Sequence, residues 1–144
     1  MSSNIAHLIK VASNEISRSV NDFASAYDLT GTQVQIIDFL TSVPDNEDVF
    51  QKDIEAKFHL SGATVTNMLK SLEKNGYIVR TPMENDARLK RIELTQKALD
   101  HENRVRENIM VIEEAMHEGF SKEEFNMMLG FLDRVIDNME KLNK

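Results

Sequence analysis

The residues with the most chemistry to offer lie between Ser61 and Arg91. Arg88, Lys90 and Arg91 place three cations within four positions, two residues after Asp86. Upstream, Ser61, Gly62, Ala63 and Thr64 open a short segment with small, mostly polar side chains. Taken as a helix, that segment puts Val65, Leu69 and Leu72 on one apolar face, with Met68 beside them. Ala63, Asn67, Lys70 and Lys74 then point the other way, with Thr64 and Thr66 on the flanks. A small leading turn allows close approach to base edges, and an asparagine there can donate to and accept from adenine bidentately. Lys70 and Lys74 sit further along, where phosphates would be met. The free N–H groups of a helix beginning at Ser61 also suit a phosphate. A solvated amphipathic helix explains this segment alone equally well. The hairpin that follows favours DNA, because a single arginine at a ribbon tip can enter a narrow minor groove. Asp86 is by its charge no partner for DNA. It reads as a residue that holds the tip, through backbone N–H groups or a nearby arginine, or as a plain turn residue.

The charge distribution supports this reading better than the total does. The 144-residue chain carries a net −7. From Ser61 to Ile92 there are six cations (Lys70, Lys74, Arg80, Arg88, Lys90, Arg91) against three anions (Glu73, Glu84, Asp86), a net of +3. The remainder therefore carries −10. A locally basic segment on an acidic body fits a groove-binding module on a non-binding scaffold.

The elements that must position these residues have legible starts. Thr30 with Gln33 forms a capping box, stapled by Leu29 and Val34. The same staple spacing recurs at Leu60, Ser61 and Val65, at Leu94, Thr95 and Leu99, and at Phe120, Ser121 and Phe125, where Glu124 completes a box. Helix starts are therefore expected near residues 30, 61, 95 and 121. The periodicity predicts a first helix from Asn4 to about Tyr27, a second over 31–42 ending before Pro44, and a third from Gln51 to Phe58. Val49-Phe50 reads as a short strand. The fourth helix ends at Asn75-Gly76, where glycine can take the left-handed conformation. Ile78 to Thr81 and Arg91 to Leu94 alternate as two strands, and further helices are expected over 96–118 and 122–142.

The first and last helices carry long apolar stripes. The last one has Phe125, Met128, Leu129, Leu132, Val135, Ile136, Met139 and Leu142. With the middle helices already packing on each other, little remains to cover both stripes. Stripes of this length mark a partner surface, and pairing with the same helices of a second copy gives a two-fold dimer.

Composition excludes several classes. A length of 144 residues suits one domain. There is no cysteine, hence no disulfide, thiolate metal site or thiol switch. No basic flank with an apolar run opens the chain and no run is long enough to span a bilayer, so the expectation is a cytoplasmic protein with no membrane partner. An enzyme is disfavoured, since there is no nucleophile–His pairing, Gly-rich phosphate loop or clustered ligand set. Neither a cofactor nor a metal is expected. His101 and His117 fall on one expected helix about 24 Å apart, too far to share an ion within a chain, and the histidines read as solvated. The eight methionines read mainly as adaptable core fillers.

In this order the motifs resemble a MarR-family regulator, a dimeric bacterial winged helix-turn-helix protein. The matching pieces are Leu29-Thr30 with Gln33, Gln51-Lys52-Asp53-Ile54, Thr64-Val65-Thr66-Asn67-Met68-Leu69, Leu72-Glu73-Lys74-Asn75-Gly76-Tyr77-Ile78, Asn85-Asp86-Ala87-Arg88 and Leu94-Thr95. The resemblance implies a mainly α fold with a small β-hairpin wing. Residues 30–95 would form the winged DNA-binding lobe, and 4–27 with 96–142 the N- and C-terminal dimerisation helices. It implies that Arg88, in the Asp-x-Arg signature at the wing tip, enters the minor groove. The helix from Ser61 would then lie in the major groove. The DNA-binding set is then Ser61, Ala63, Thr64, Thr66, Asn67, Lys70, Lys74, Asp86, Arg88 and Lys90. Many members carry arginine where this chain has Asn67, so their base preference does not transfer. The cysteine of peroxide-sensing relatives is missing. The expected partners are double-stranded DNA, a second copy and a small-molecule effector that relieves repression. A winged-helix module that binds another protein is the alternative, favoured by the acidic body and opposed by the basic hairpin. An activator would look the same in sequence.

Overall fold

A computed structural model describes residues 4–144 and divides the chain into two compact units, one ending at Ile109 and one beginning at Met110. The described elements are α1 (Ile5–Ala24), a 3-10 turn (Ser25–Tyr27), α2 (Gly31–Ser42), α3 (Gln51–Phe58), α4 (Gly62–Lys74), β1 (Ile78–Pro82), β2 (Lys90–Leu94), α5 (Gln96–Asp100), α6 (Glu102–His117) and α7 (Lys122–Leu142). Helices dominate, and the two strands form one antiparallel hairpin. Among the described residues no helix is long and apolar enough to cross a membrane.

The four expected helix starts coincide with N-caps. Thr30, Ser61, Thr95 and Ser121 each accept a hydrogen bond from the backbone N–H three residues on. At Thr30 and Ser121 the box closes reciprocally, with Gln33 and Glu124 reaching back to the cap N–H. At the other end of α4, the N–H of Tyr77 bonds Leu72 O and that of Gly76 bonds Glu73 O. Gly76 sits there at φ +82°, completing a Schellman stop. This stop turns the chain directly from α4 into β1.

The first unit is built around α2, α3 and α4. Val34, Ile36, Ile37, Ile54, Val65, Leu69 and Leu72 are fully buried, and Ile78 and Ile92 bring the hairpin onto the same core. α1 crosses the start of α2 closely. Gly31 N–H donates to Asn21 Oδ1 at 2.7 Å, and a Cβ on Gly31 would meet that oxygen at 2.6 Å. A larger residue at this position would have to displace the Asn21 side chain and with it this bond. The hairpin pairs Ile78 with Leu94 through to Pro82 with Lys90.

Three expectations need correction. Val49-Phe50 is not a strand; the segment contributes one bond, from Ile92 N–H to Val49 O at 2.8 Å, along the outer edge of β2. The helix expected over 96–118 is two helices, broken at His101. No glycine or proline lies there, so the break is tertiary in origin. The His101 ring packs against Tyr27 (4.9 Å between centroids) and Tyr77 (6.3 Å). His101 and His117 therefore do not share a helix, and neither is simply solvated, since His117 stacks on Phe125 at 3.5 Å. The first helix also stops earlier than expected, at Ala24, and tightens into the 3-10 turn before Asp28 takes a left-handed conformation.

Candidate nucleic-acid interface

The interface is assembled from α3, α4 and the hairpin, all within the first unit. α3 and α4 are joined by three residues, His59, Leu60 and Ser61, the spacing of a helix-turn-helix. His59 makes the bend at φ 53° as the cap of α3. Ile54 from α3 and Val65, Leu69 and Leu72 from α4 are buried in the core, and this fixes which face of α4 remains outside.

That outer face carries Ala63, Asn67, Lys70 and Lys74, all exposed, as the helical wheel predicts. Among the described residues neither Lys70 nor Lys74 has an ion-pair partner. Ser61 is exposed and caps the helix: its Oγ accepts from Thr64 N–H and donates to Thr64 Oγ1 at 2.9 Å. Thr64 is half-buried by this contact. Thr66 is also half-buried, and its Oγ1 accepts a hydrogen bond from Gln51 Nε2 at 2.9 Å. The two threonine hydroxyls are thus engaged within the protein.

The wing tip is a turn held by Asp86. Leu89 N–H bonds Asp86 O at 3.0 Å, and Arg88 N–H bonds Asp86 Oδ1 at 3.0 Å, an Asx turn inside a β-turn. The Arg88 guanidinium also donates to both Asp86 oxygens while the side chain stays 91% exposed. These bonds hold the Asp86 carboxyl below the usual carboxylate range, the side-chain bond from Arg88 contributing most. Asp86 thus combines the two tip-holding roles open to it in the sequence. Lys90 is exposed at the start of β2.

Not every cation of the basic segment is free. Arg80 pairs with Glu73 at 3.0 Å with its side chain only 17% exposed, so it braces β1 against the end of α4. The Glu73 carboxyl is accordingly held low, first by the hydrogen bond from Arg80. Arg91 lies 3.8 Å from Asp48 and 2.6 Å from Glu93, the second contact ionic rather than hydrogen-bonded because the Nε–H is not aligned on the carboxylate. The cations left outward are Lys70, Lys74, Arg88 and Lys90. Lys52 joins them. It lines a shallow cleft of about 160 Å³ under the wing with Gln51, Arg80, Arg88 and Lys90. Sequence reasoning passed over Lys52 because α3 offered no basic cluster of its own. Among the described residues no hydrogen bond or ion pair joins Arg88 to α4, so the tip and the helix present separate polar surfaces. No cluster of three or more potential metal ligands occurs among the described residues.

The model of the MarR family matches residues 27–89, the span from the end of the 3-10 turn to the wing tip. The chain is 33% identical over 103 residues to the HTH-type transcriptional regulator SarZ of Staphylococcus epidermidis, covering 72% of this chain and 68% of that protein. The crystal structure of the transcription regulator MarR from Oenococcus oeni PSU-1 superimposes with a TM-score of 0.82 at 34% identity, covering 93% of this chain and 99% of the other. The S. aureus MepR–DNA complex shares the fold, with a TM-score of 0.86 at 23% identity over 95% and 99% of the two chains. The fold is therefore a winged helix of the kind the motifs led us to expect, and the chain belongs to the MarR family of transcription regulators, which are not enzymes.

Proposed function

We propose that this regulator binds a pseudo-palindromic DNA operator as a homodimer and represses by occupying a promoter, in the cytoplasm. The observation that carries this reading is the pairing of two devices: an α4 whose outer face is small, polar and cationic, and a wing whose tip projects a 91%-exposed arginine from a braced turn. In this reading Ser61, Ala63, Asn67, Lys70 and Lys74 face the major groove, with Thr64 and Thr66 on the flanks, their hydroxyls engaged within the protein. Asp86, Arg88 and Lys90 serve the minor groove. The MepR structure, whose fold this chain shares, is a DNA complex.

The second copy is supported by uncovered apolar surface. α1 exposes Ile5, Leu8, Ile9 and Val11, and α7 exposes Phe131, Leu132, Ile136, Met139 and Leu142 among others. Residues 4–27 and 96–142 would form the dimerisation region, and 30–95 the DNA-binding lobe. Two-fold pairing would place the recognition helices about 34 Å apart, one helical turn of DNA. Relief of repression by a small molecule would follow from a preference for a different separation of the two lobes. A cleft of about 460 Å³ beside the α2–α3 loop, β2 and α5 is in the size range of small-molecule sites.

Selection of bound duplexes from a random library at moderate salt tests the reading. Enrichment of an inverted repeat by a folded dimer is expected. No enrichment would overturn it in favour of a winged-helix module that binds another protein.

A further inference from the structure

The α3–α4 pair is held by apolar contacts through Ile54, Val65 and Leu69, which are buried but not directional. Such contacts tolerate small slides and rolls of one helix on another. Base readout does not: a bidentate contact needs its side chain within about 0.5 Å and 10–20° of the productive pose. Gln51, the first residue of α3, supplies the missing direction. The two hydrogens of its Nε2 are shared among three acceptors, Thr66 Oγ1 at 2.9 Å, Glu55 Oε2 at 3.1 Å and Gly62 O at 3.2 Å. Gly62 and Thr66 lie one turn apart on α4, so one amide grips the helix at two heights on the same side. The residues that follow them in the chain are Ala63 and Asn67, both exposed on the outer face.

We propose that Gln51 is a positioning residue for sequence readout: by clamping Gly62 O and Thr66 Oγ1 it sets the roll and rise of α4 and so aims Ala63 and Asn67 at base edges. This reassigns Thr66, whose hydroxyl serves the clamp from the protein side. The inference rests on the DNA-binding reading above. It separates two kinds of affinity. Non-specific binding comes from cations on phosphates and is insensitive to a small roll of α4. Specific binding is not.

The test uses the full chain, the duplex selected by the wild type and a random duplex, with Gln51→Met, Thr66→Val and the double substitution. Both changes nearly conserve volume; Thr66→Val removes only the bond between the two side chains, whereas Gln51→Met also removes the amide's bonds to Gly62 O and Glu55 Oε2. Thr66→Val is expected to bind the selected duplex roughly three- to tenfold more weakly, the range that one hydrogen bond supplies, and Gln51→Met at least as weakly. Binding to random duplex should change less than about twofold, the salt slope should be unchanged, and the double variant should be no weaker than Gln51→Met alone. Three outcomes overturn the inference alone: an unchanged affinity for the selected duplex, an equal loss on both duplexes, or effects of the two substitutions that add. A wild type that selects no duplex removes the functional reading and this inference with it.

Discussion

Asp86 accepts three hydrogen bonds from Arg88, one from its backbone N–H at 3.0 Å and two from its guanidinium at 3.1 and 3.3 Å. The backbone bond fixes the turn, and the guanidinium bonds fix the direction in which an exposed arginine leaves it. An arginine held this way loses less side-chain freedom on entering a minor groove than a free one would. Arg88→Ala is expected to cost about 1–3 kcal/mol in operator binding. Asp86→Asn, which keeps the acceptor for the backbone N–H but loses the charge, should fall between Arg88→Ala and the wild type. Fluorescence anisotropy on the selected duplex reads both; an operator affinity unchanged by Arg88→Ala would sink the role of the wing.

Lys70 is exposed on α4, has no ion-pair partner among the described residues, and lies one turn beyond Asn67. On the proposed docking, a lysine at that height meets phosphate. Lys70→Ala should weaken binding to all sequences alike and reduce the slope of log affinity against log salt by about 1. Titrations at several salt concentrations check this. A changed base preference in a repeat selection would instead make Lys70 a reader of bases.

The Glu73–Arg80 pair ties the end of α4 to β1. Glu73 is held below its ordinary 4.5, so the native state binds fewer protons than the unfolded chain in that range. Its contribution is present above pH 4.5 and is lost as pH falls through the lower native value. Glu73 is substantially exposed, so the contribution is at most about 1 kcal/mol. Glu73→Gln is expected to lower the neutral-pH unfolding free energy by that order and to leave stability below the carboxylate range nearly unchanged. Urea melts across pH 3–7 measure the difference.

Much of this fold was legible because its helix starts are written locally. Thr30, Ser61, Thr95 and Ser121 cap through contacts three residues away, and such contacts depend on neighbours in the chain alone. The outer face of α4 was legible for the same reason, since the helical period sets Val65 and Leu69 on one face and Asn67 and Lys70 on the other. What escaped depends on distant partners. The break at His101 is made by Tyr27 and Tyr77, and the inward turn of Thr66 by Gln51, fifteen residues earlier. Arg80 counted as a free cation until β1 brought it onto Glu73. Side-chain pairing across elements has no periodicity for the sequence to display.

Among the described residues Gln33 is the one buried polar side chain, only 4% exposed. Its Oε1 accepts from Thr30 N–H at 3.0 Å and its Nε2 donates to Met68 O at 3.2 Å, linking the start of α2 to the middle of α4. Gln33→Leu keeps most of the volume but strands the Thr30 N–H. A loss of about 1–3 kcal/mol in unfolding free energy is expected. Gln33→Glu keeps the acceptor for Thr30, though burial opposes its charge, and should lose less at acidic than at neutral pH. Thermal melts at pH 5 and 7 compare the two variants, and a neutral Gln33→Leu would show that the buried amide contributes no net stability.

Ile136 lies in the exposed apolar stripe of α7, four residues from Leu132 and three from Met139. Within one chain it remains 41% exposed, so a glutamate there can be solvated and should leave the folded monomer intact. Across a two-fold interface the same glutamate would be buried beside apolar partners with no counter-charge, at a cost of several kcal/mol per copy. The wild type is therefore expected to sediment at about twice the chain mass of 16.5 kDa, and Ile136→Glu at once that mass with unchanged far-ultraviolet circular dichroism. Separated chains can each hold only one half-site. Operator binding by Ile136→Glu should then fall toward the level of random duplex, because the second half-site no longer contributes at the effective concentration that the dimer imposes. Sedimentation velocity and anisotropy on the same samples decide it, and a dimer that survives Ile136→Glu would move the interface off α7.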